Sequence, residues 1–164
     1  MSGIFTLRQL NVGILSMCII ALGLSFYALL VEFKKEHDDS YEAMCDISEH
    51  MSCTKAFISE YGKGFGLLPK DSLFNFPNSI YGLACYMLFA ILTMYNNFVC
   101  SVALIVLGIF FNICSIYLAY ILYLLNNFCV ICVTMYVINL VITIFAVKKL
   151  QKLTAEDAHK KKSS

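Results

Sequence analysis

The sequence predicts an all-α membrane protein, a bundle of four transmembrane helices with a lumenal loop or cap between helices one and two. Its 164 residues are 60% hydrophobic and only 14% charged, where a soluble domain carries about 25% charged residues. The charges are also segregated. From Ser72 to Val147 there is no Asp, Glu, Lys or Arg, and no water-facing surface can be built from such a stretch. Short polar breaks divide the apolar sequence into lengths of about 17–25 residues, each matched to a hydrocarbon core of ~30 Å.

The elements follow in order. The first apolar stretch, Leu10–Phe33, exceeds the apolar core of a signal peptide. It also lacks a small-residue cleavage site before the acidic segment that follows, so it reads as a span. A polar loop, residues 34–78, comes next. The second span covers Ser79–Tyr95, the third Phe98–Leu125 and the fourth Phe128–Val147. The breaks between the last three are Asn96-Asn97 and Asn126-Asn127, paired turn-forming residues suited to tight helical hairpins. Residues 1–150 thus form one membrane domain, and residues 151–164 a polar tail.

Flanking charge orients the bundle. Arg8 precedes the first span with no acid beside it, and Lys148, Lys149, Lys152, Lys160, Lys161 and Lys162 follow the fourth. Both termini are therefore expected in the cytosol. The segment Glu32–Asn78, with five lysines and nine acids, falls on the opposite side, together with the Asn126-Asn127 turn. Lys161-Lys162-Ser163-Ser164 matches a dilysine retrieval signal of endoplasmic reticulum membrane proteins, a receptor-read address. A net charge of +1 and the lack of a basic face exclude nucleic acid as a partner.

Eight cysteines is many for this length. In this topology Cys45 and Cys53 lie in the lumenal loop, and Cys129-Val130-Ile131-Cys132 opens the fourth span on the same side. Residues three apart on a helix share a face, and a helix N-terminus favours the thiolate, which is the nucleophile. Two cysteine pairs on one side of one membrane, in an oxidising compartment, point to disulfide exchange. Cys45 and Cys53 fit either a static disulfide or a shuttle pair. Cys18, Cys85, Cys100 and Cys114 read as small apolar residues. Tyr136 lies one turn beyond Cys132 on the same face, and Asn139 extends that stripe. A phenol and an amide there can hydrogen-bond a quinone carbonyl, although ordinary packing explains either residue as well. Asn78 stands at the lumenal start of span two, where an Asn often caps a helix. The run Gly62-Lys63-Gly64-Phe65-Gly66 lacks the pattern of a phosphate loop and reads as a tight turn seating the loop on the helices. Leu73, Phe74 and Phe76, in a turn begun by Asp71, are expected to cover an apolar pocket. His37, His50 and His159 have no ligand-like spacing, so no metal is expected.

These motifs together resemble the vitamin K epoxide reductase family. The resemblance runs through Cys45-Asp46-Ile47-Ser48, Met51-Ser52-Cys53, Phe57, Ser59, Gly62 and Gly64-Phe65-Gly66. It continues with Asn78-Ser79-Ile80-Tyr81-Gly82 and with Cys129-Val130-Ile131-Cys132-Val133-Thr134, Tyr136 and Asn139. It covers nearly the whole chain. It implies that Cys132 attacks the substrate, that Cys129 resolves the adduct, and that Cys53 and Cys45 relay electrons from a lumenal thioredoxin-like protein. It implies that Asn78 and Tyr136 hydrogen-bond the two oxygens of the naphthoquinone head and that Phe57 packs near the ring. Ser59, Tyr61 and Gly64 would seat the loop. Vitamin K quinone or epoxide would be a substrate, with no tightly bound cofactor. Vertebrate members carry a Trp where this Trp-free chain has Tyr61, and the loop between Leu67 and Asn78 differs in length and content. Two other readings compete: a quinone-coupled enzyme that makes disulfides for client proteins, and a non-enzymatic four-span scaffold. The scaffold reading leaves Cys129 and Cys132 idle. It also finds neither the Trp motif of claudin-like proteins nor the large third-to-fourth loop of tetraspanins.

Overall fold

A computed structural model describes residues 6–48, 50–67, 69 and 72–163, and side chains as far as His159. Asp71, Ser164 and the side chains of the expected dilysine signal lie outside the described residues. The described chain is helical: α1 (Leu7–His37), α2 (Cys53–Ile58), α3 (Asn78–Met94), α4 (Phe98–Leu124) and α5 (Val130–Ser163). Three of these, α1, α4 and α5, are long and apolar enough to cross a bilayer, and α3 is a shorter apolar helix of 17 residues.

The helix starts are written locally. Thr6 and Gln9 close a capping box at α1, satisfying two amides that have no partner within the helix. Ser52 accepts from the Lys55 amide at α2, and Asn97 from the Cys100 amide at α4. α1 continues one turn beyond Phe33, because Lys34, Lys35 and His37 suit the last turn of a helix. α5 begins at Val130, so Cys129 stands just before its first turn, and its carbonyl accepts from Val133.

α1 packs against α3 and α5, and α4 packs against α5. The core takes one face from each helix: Ile14, Cys18 and Ala21 from α1, Tyr86 and Phe89 from α3, Leu104 from α4, and Ile138, Ile142 and Ala146 from α5. The spacings of three and four residues are those of a single helix face. Ile19, Ile109, Ile113 and Ile116 point outward and stay exposed, as helices surrounded by lipid require. Polar bonds cross-link the bundle midway. The Tyr86 hydroxyl donates to Asn139 Oδ1 (2.7 Å), and Asn139 Nδ2 donates to Ser115 Oγ (2.9 Å). Asn112 Nδ2 donates to Thr143 Oγ1 (2.8 Å). Such bonds hold helices together where lipid offers no hydrophobic drive.

Lys149 departs from expectation. It is fully buried, and its Nζ donates to the carbonyls of Thr93 (2.7 Å) and Tyr95 (3.1 Å). It therefore satisfies the open C-terminal end of α3 while remaining one of the positive charges that follow the fourth span.

Candidate active site

The loop between α1 and α3 is organised by Asp46. One of its carboxylate oxygens accepts from Ser52 Oγ (2.7 Å) and the Thr54 amide (3.1 Å). The other accepts from the Ala43 amide (2.9 Å) and the Thr54 hydroxyl. Burial works to raise its pKa, but the hydrogen bonds from Thr54, Ser52 and Ala43 outweigh it and hold the carboxyl at about 2. The clamp draws residues 43–46 against the start of α2, where Cys45 and Cys53 are joined in a disulfide with their Cα atoms 5.8 Å apart.

A second clamp docks this loop on the turn before α5. Asn126 adopts a left-handed conformation (φ 48°), which Asn tolerates better than most residues. The side chain of Asn127 then pairs with Ser52 at both ends: its Oδ1 accepts from the Ser52 amide (3.1 Å), and its Nδ2 donates to the Ser52 carbonyl (2.7 Å). The Phe128 amide donates to the His50 carbonyl (2.8 Å). As a result Cys53 and Cys129, both fully buried, share one cluster with Val31, Ala43 and Ala56, and Cys45 and Cys132 pack against it. The four cysteines of the two pairs are thus gathered at one end of the bundle. Cys129 and Cys132 are free thiols, and the Cys132 amide donates to the Cys129 sulfur (3.2 Å), the bond a capping side chain makes in the first turn of a helix.

Below this cluster lies a half-open cavity of about 140 Å³. Of the four cysteines only Cys132 lines it. Phe57, Ser59, Tyr61, Asn78 and Tyr136 line it too, so six of the ten expected site residues border one cavity. The Tyr136 hydroxyl has no protein partner among the described residues. Asn78 is more occupied than the sequence suggests. Its Oδ1 accepts from the Phe65 amide (2.9 Å) and its Nδ2 donates to the Tyr61 carbonyl (2.7 Å), leaving one N–H free. Asn139 is more committed still, with both ends of its amide engaged in the cross-link between α3, α4 and α5, so it serves as the cavity floor.

The glycine-rich segment forms two short 3-10 turns, Glu60–Gly62 and Gly64–Gly66. A Cβ at Gly62 would lie 1.9 Å from the Phe57 carbonyl oxygen, so only glycine lets the chain fold back on α2. Gly64, Phe65 and Gly66 are all left-handed. Gly64 is buried and its amide donates to the Phe76 carbonyl (2.9 Å), while the Phe65 carbonyl accepts from Tyr117 of α4 (3.2 Å). Ser59 Oγ donates to the Ala56 carbonyl (2.8 Å) and closes α2. The loop thus folds back on α2, with Tyr61 on the cavity wall. The expected cover is different. Leu73, Phe74 and Phe76 are exposed and do not line the cavity. Phe65 and Tyr81 do, with ring centroids 5.9 Å apart.

Among the cavity residues that sequence reasoning did not single out are Glu32, Ser25 and Cys114. Glu32 is buried, and its carboxylate accepts from Ser79 Oγ (2.6 Å). Ser25 is buried, and its hydroxyl has no partner among the described residues. Cys114 lines the wall from α4. Glu32 stands at the charged end of α1, beside Lys34, Lys35 and Glu36, so the sequence carries no signal that sets it apart.

Comparison with known proteins gives one consistent result. Residues 12–147 match the model of the "Vitamin K epoxide reductase family". The chain is 36% identical over 141 residues to the mouse (Mus musculus) protein named vitamin K epoxide reductase complex subunit 1, covering 83% of this chain and 88% of the mouse protein. The rat (Rattus norvegicus) protein of the same name is similar to the same extent, 36% over 141 residues.

Proposed function

The chain belongs to the vitamin K epoxide reductase family of thiol-coupled oxidoreductases, and from that premise we propose how its own residues carry the reaction. The enzyme reduces vitamin K 2,3-epoxide to the quinone and the quinone to the hydroquinone. Each step consumes two electrons and two protons and leaves a Cys129–Cys132 disulfide. Cys132 attacks, because it alone of the four cysteines lines the cavity. Cys129, fully buried behind it, resolves the adduct. The free Tyr136 hydroxyl and the remaining Asn78 N–H hold the two substrate oxygens, Phe57 lies against the ring, and the isoprenoid tail leaves toward lipid.

Regeneration runs the other way along the cluster. A thioredoxin-like protein reduces the Cys45–Cys53 bond. The Cys53 thiolate attacks Cys129, forming a Cys53–Cys129 bond and releasing Cys132. Cys45 then displaces Cys129 and restores its own bond to Cys53. The observation that carries this reading is the clustering of both cysteine pairs directly above a cavity that one of them lines.

This reading places the protein in the endoplasmic reticulum membrane with four spans, the cysteine loop in the lumen and both termini in the cytosol. The positive flanks of α1 and α5 support it. At ~1.5 Å per residue α3 is roughly 25 Å long, and a small local thinning of the bilayer accommodates it. Peptide mapping under non-reducing conditions tests the relay. Cys45→Ser should accumulate the Cys53–Cys129 bond, lose turnover with a protein donor and keep it with dithiothreitol. A Cys45→Ser protein equally dead with both reductants would contradict the relay.

A further inference from the structure

Glu32 is the one carboxyl group among the described residues of the cavity wall. It is 5% exposed. Its hydrogen bond comes from a neutral hydroxyl, Ser79, and the nearby Lys63 is ion-paired with Glu36 instead. A buried carboxyl with no salt bridge of its own is an expensive choice for stability alone. Glu32 also borders a second cavity, on the loop side, with Glu36, Glu60 and Lys63. Phe57, Ser59 and Glu32 line both spaces. The carboxyl thus stands in the partition between the pocket that Cys132 lines and a polar space under the loop.

Resting on the reductase reading above, we propose that Glu32, oriented by Ser79, is the general acid that protonates the substrate oxygen and is reloaded from lumenal water through the second cavity. The balance closes. The Cys132 thiolate adds to a ring carbon as the Glu32 carboxylic acid gives its proton to the oxygen, leaving a carbon–sulfur bond and a Glu32 carboxylate. Cys129 then forms the disulfide and the carbon–sulfur bond breaks, its electron pair staying on the substrate. The Cys129 proton goes to the second oxygen, or completes the departing water when the epoxide is the substrate. One proton from water restores Glu32. In total two electrons and one proton come from the thiol–thiolate pair, and one proton comes through Glu32.

A general acid acts only while protonated, so Glu32 should impose an alkaline decline on kcat/KM. The other titratable groups on its cavity are Cys132 and Tyr136 of α5, Cys114 of α4, Tyr81 and Tyr86 of α3, and Tyr61 of the loop. Glu36, Glu60 and Lys63 face it from the second cavity. All of these persist in Glu32→Gln, which keeps the size of the side chain and its acceptor for Ser79.

The test is the pH profile of epoxide and quinone turnover by the full chain in detergent, with dithiothreitol bypassing the relay. Glu32→Gln should lower kcat/KM by at least ~100-fold and abolish the alkaline decline. Glu32→Asp should recover part of the rate, and Cys132 should be alkylated as fast as in the parent protein. Wild-type turnover and pH profile in Glu32→Gln would overturn the proposal and leave the reductase reading standing. So would a loss of turnover matched by an equal loss of Cys132 alkylation, which marks a structural role. A parent protein that converts neither substrate would overturn both.

Discussion

Removing the Asn127 amide should loosen the docking of the cysteine loop by an amount that the structure sets. Asn127 makes two hydrogen bonds to the backbone of Ser52, at 3.1 and 2.7 Å, and Ser52 is 5% exposed. Asn127→Ala deletes both and leaves a buried N–H and C=O without these partners. Each bond is worth about 1 kcal/mol net, so the docked state should lose ~2 kcal/mol, a shift of roughly 30-fold in the opening equilibrium. Cys129 reports that equilibrium. It has no exposed surface, so a maleimide reaches it only when the loop lifts. Mass spectrometry of labelled peptides should show Cys129 reacting roughly 30-fold faster in Asn127→Ala, while Cys100 on α4 keeps its rate. An unchanged Cys129 rate would refute the clamp. An equal acceleration at the core residue Cys18 would show global unfolding instead.

Other outcomes follow from the same geometry. Asp46 has a pKa held at about 2, against an ordinary value of 3.8. Its contribution to loop stability is therefore complete above about pH 4 and is lost as the pH falls through 2. At this partly exposed site it is worth ~1 kcal/mol after solvent screening, and Asp46→Asn should flatten the acid side of thermal denaturation curves recorded in detergent. Gly62→Ala should disrupt the loop, because its Cβ would sit 1.9 Å from a backbone oxygen. Limited proteolysis should then cut between α2 and α3, and an uncut, active Gly62→Ala protein would contradict that close approach. Tyr136→Phe removes a hydroxyl with no protein partner, so thermal stability should stay within about 0.5 kcal/mol of the parent while kcat/KM falls about 10-fold or more. A large loss of stability with unchanged turnover would assign Tyr136 to packing.

The helices were legible because their signal is local. Absence of charge over 72–147 marks the apolar segments, and the asparagine pairs mark their ends. The CxxC motif was legible for the same reason, though Cys129 falls one residue before the helix it introduces. What was not legible involves partners distant in sequence. That Lys149 also closes the end of α3 depends on carbonyls far off in the sequence. Glu32 counts as the first acid of the loop until Ser79 and the folded loop enclose it. Leu73, Phe74 and Phe76 look like a cover, yet the left-handed turn at Gly64–Gly66 brings Phe65 to the cavity instead. Asn78 was singled out from the sequence and does line the cavity, but its bonds to Tyr61 and Phe65, which commit most of its amide to seating the loop, were not legible.

Turnover by the purified full chain in detergent, with dithiothreitol as reductant, tests the central claim most directly. Conversion of vitamin K 2,3-epoxide to the quinone and of the quinone to the hydroquinone, both lost in Cys132→Ser, is the predicted result. A folded protein that converts neither, or a Cys132→Ser variant that still converts both, would contradict the assignment of the cavity and Cys132 on its wall as the reducing centre.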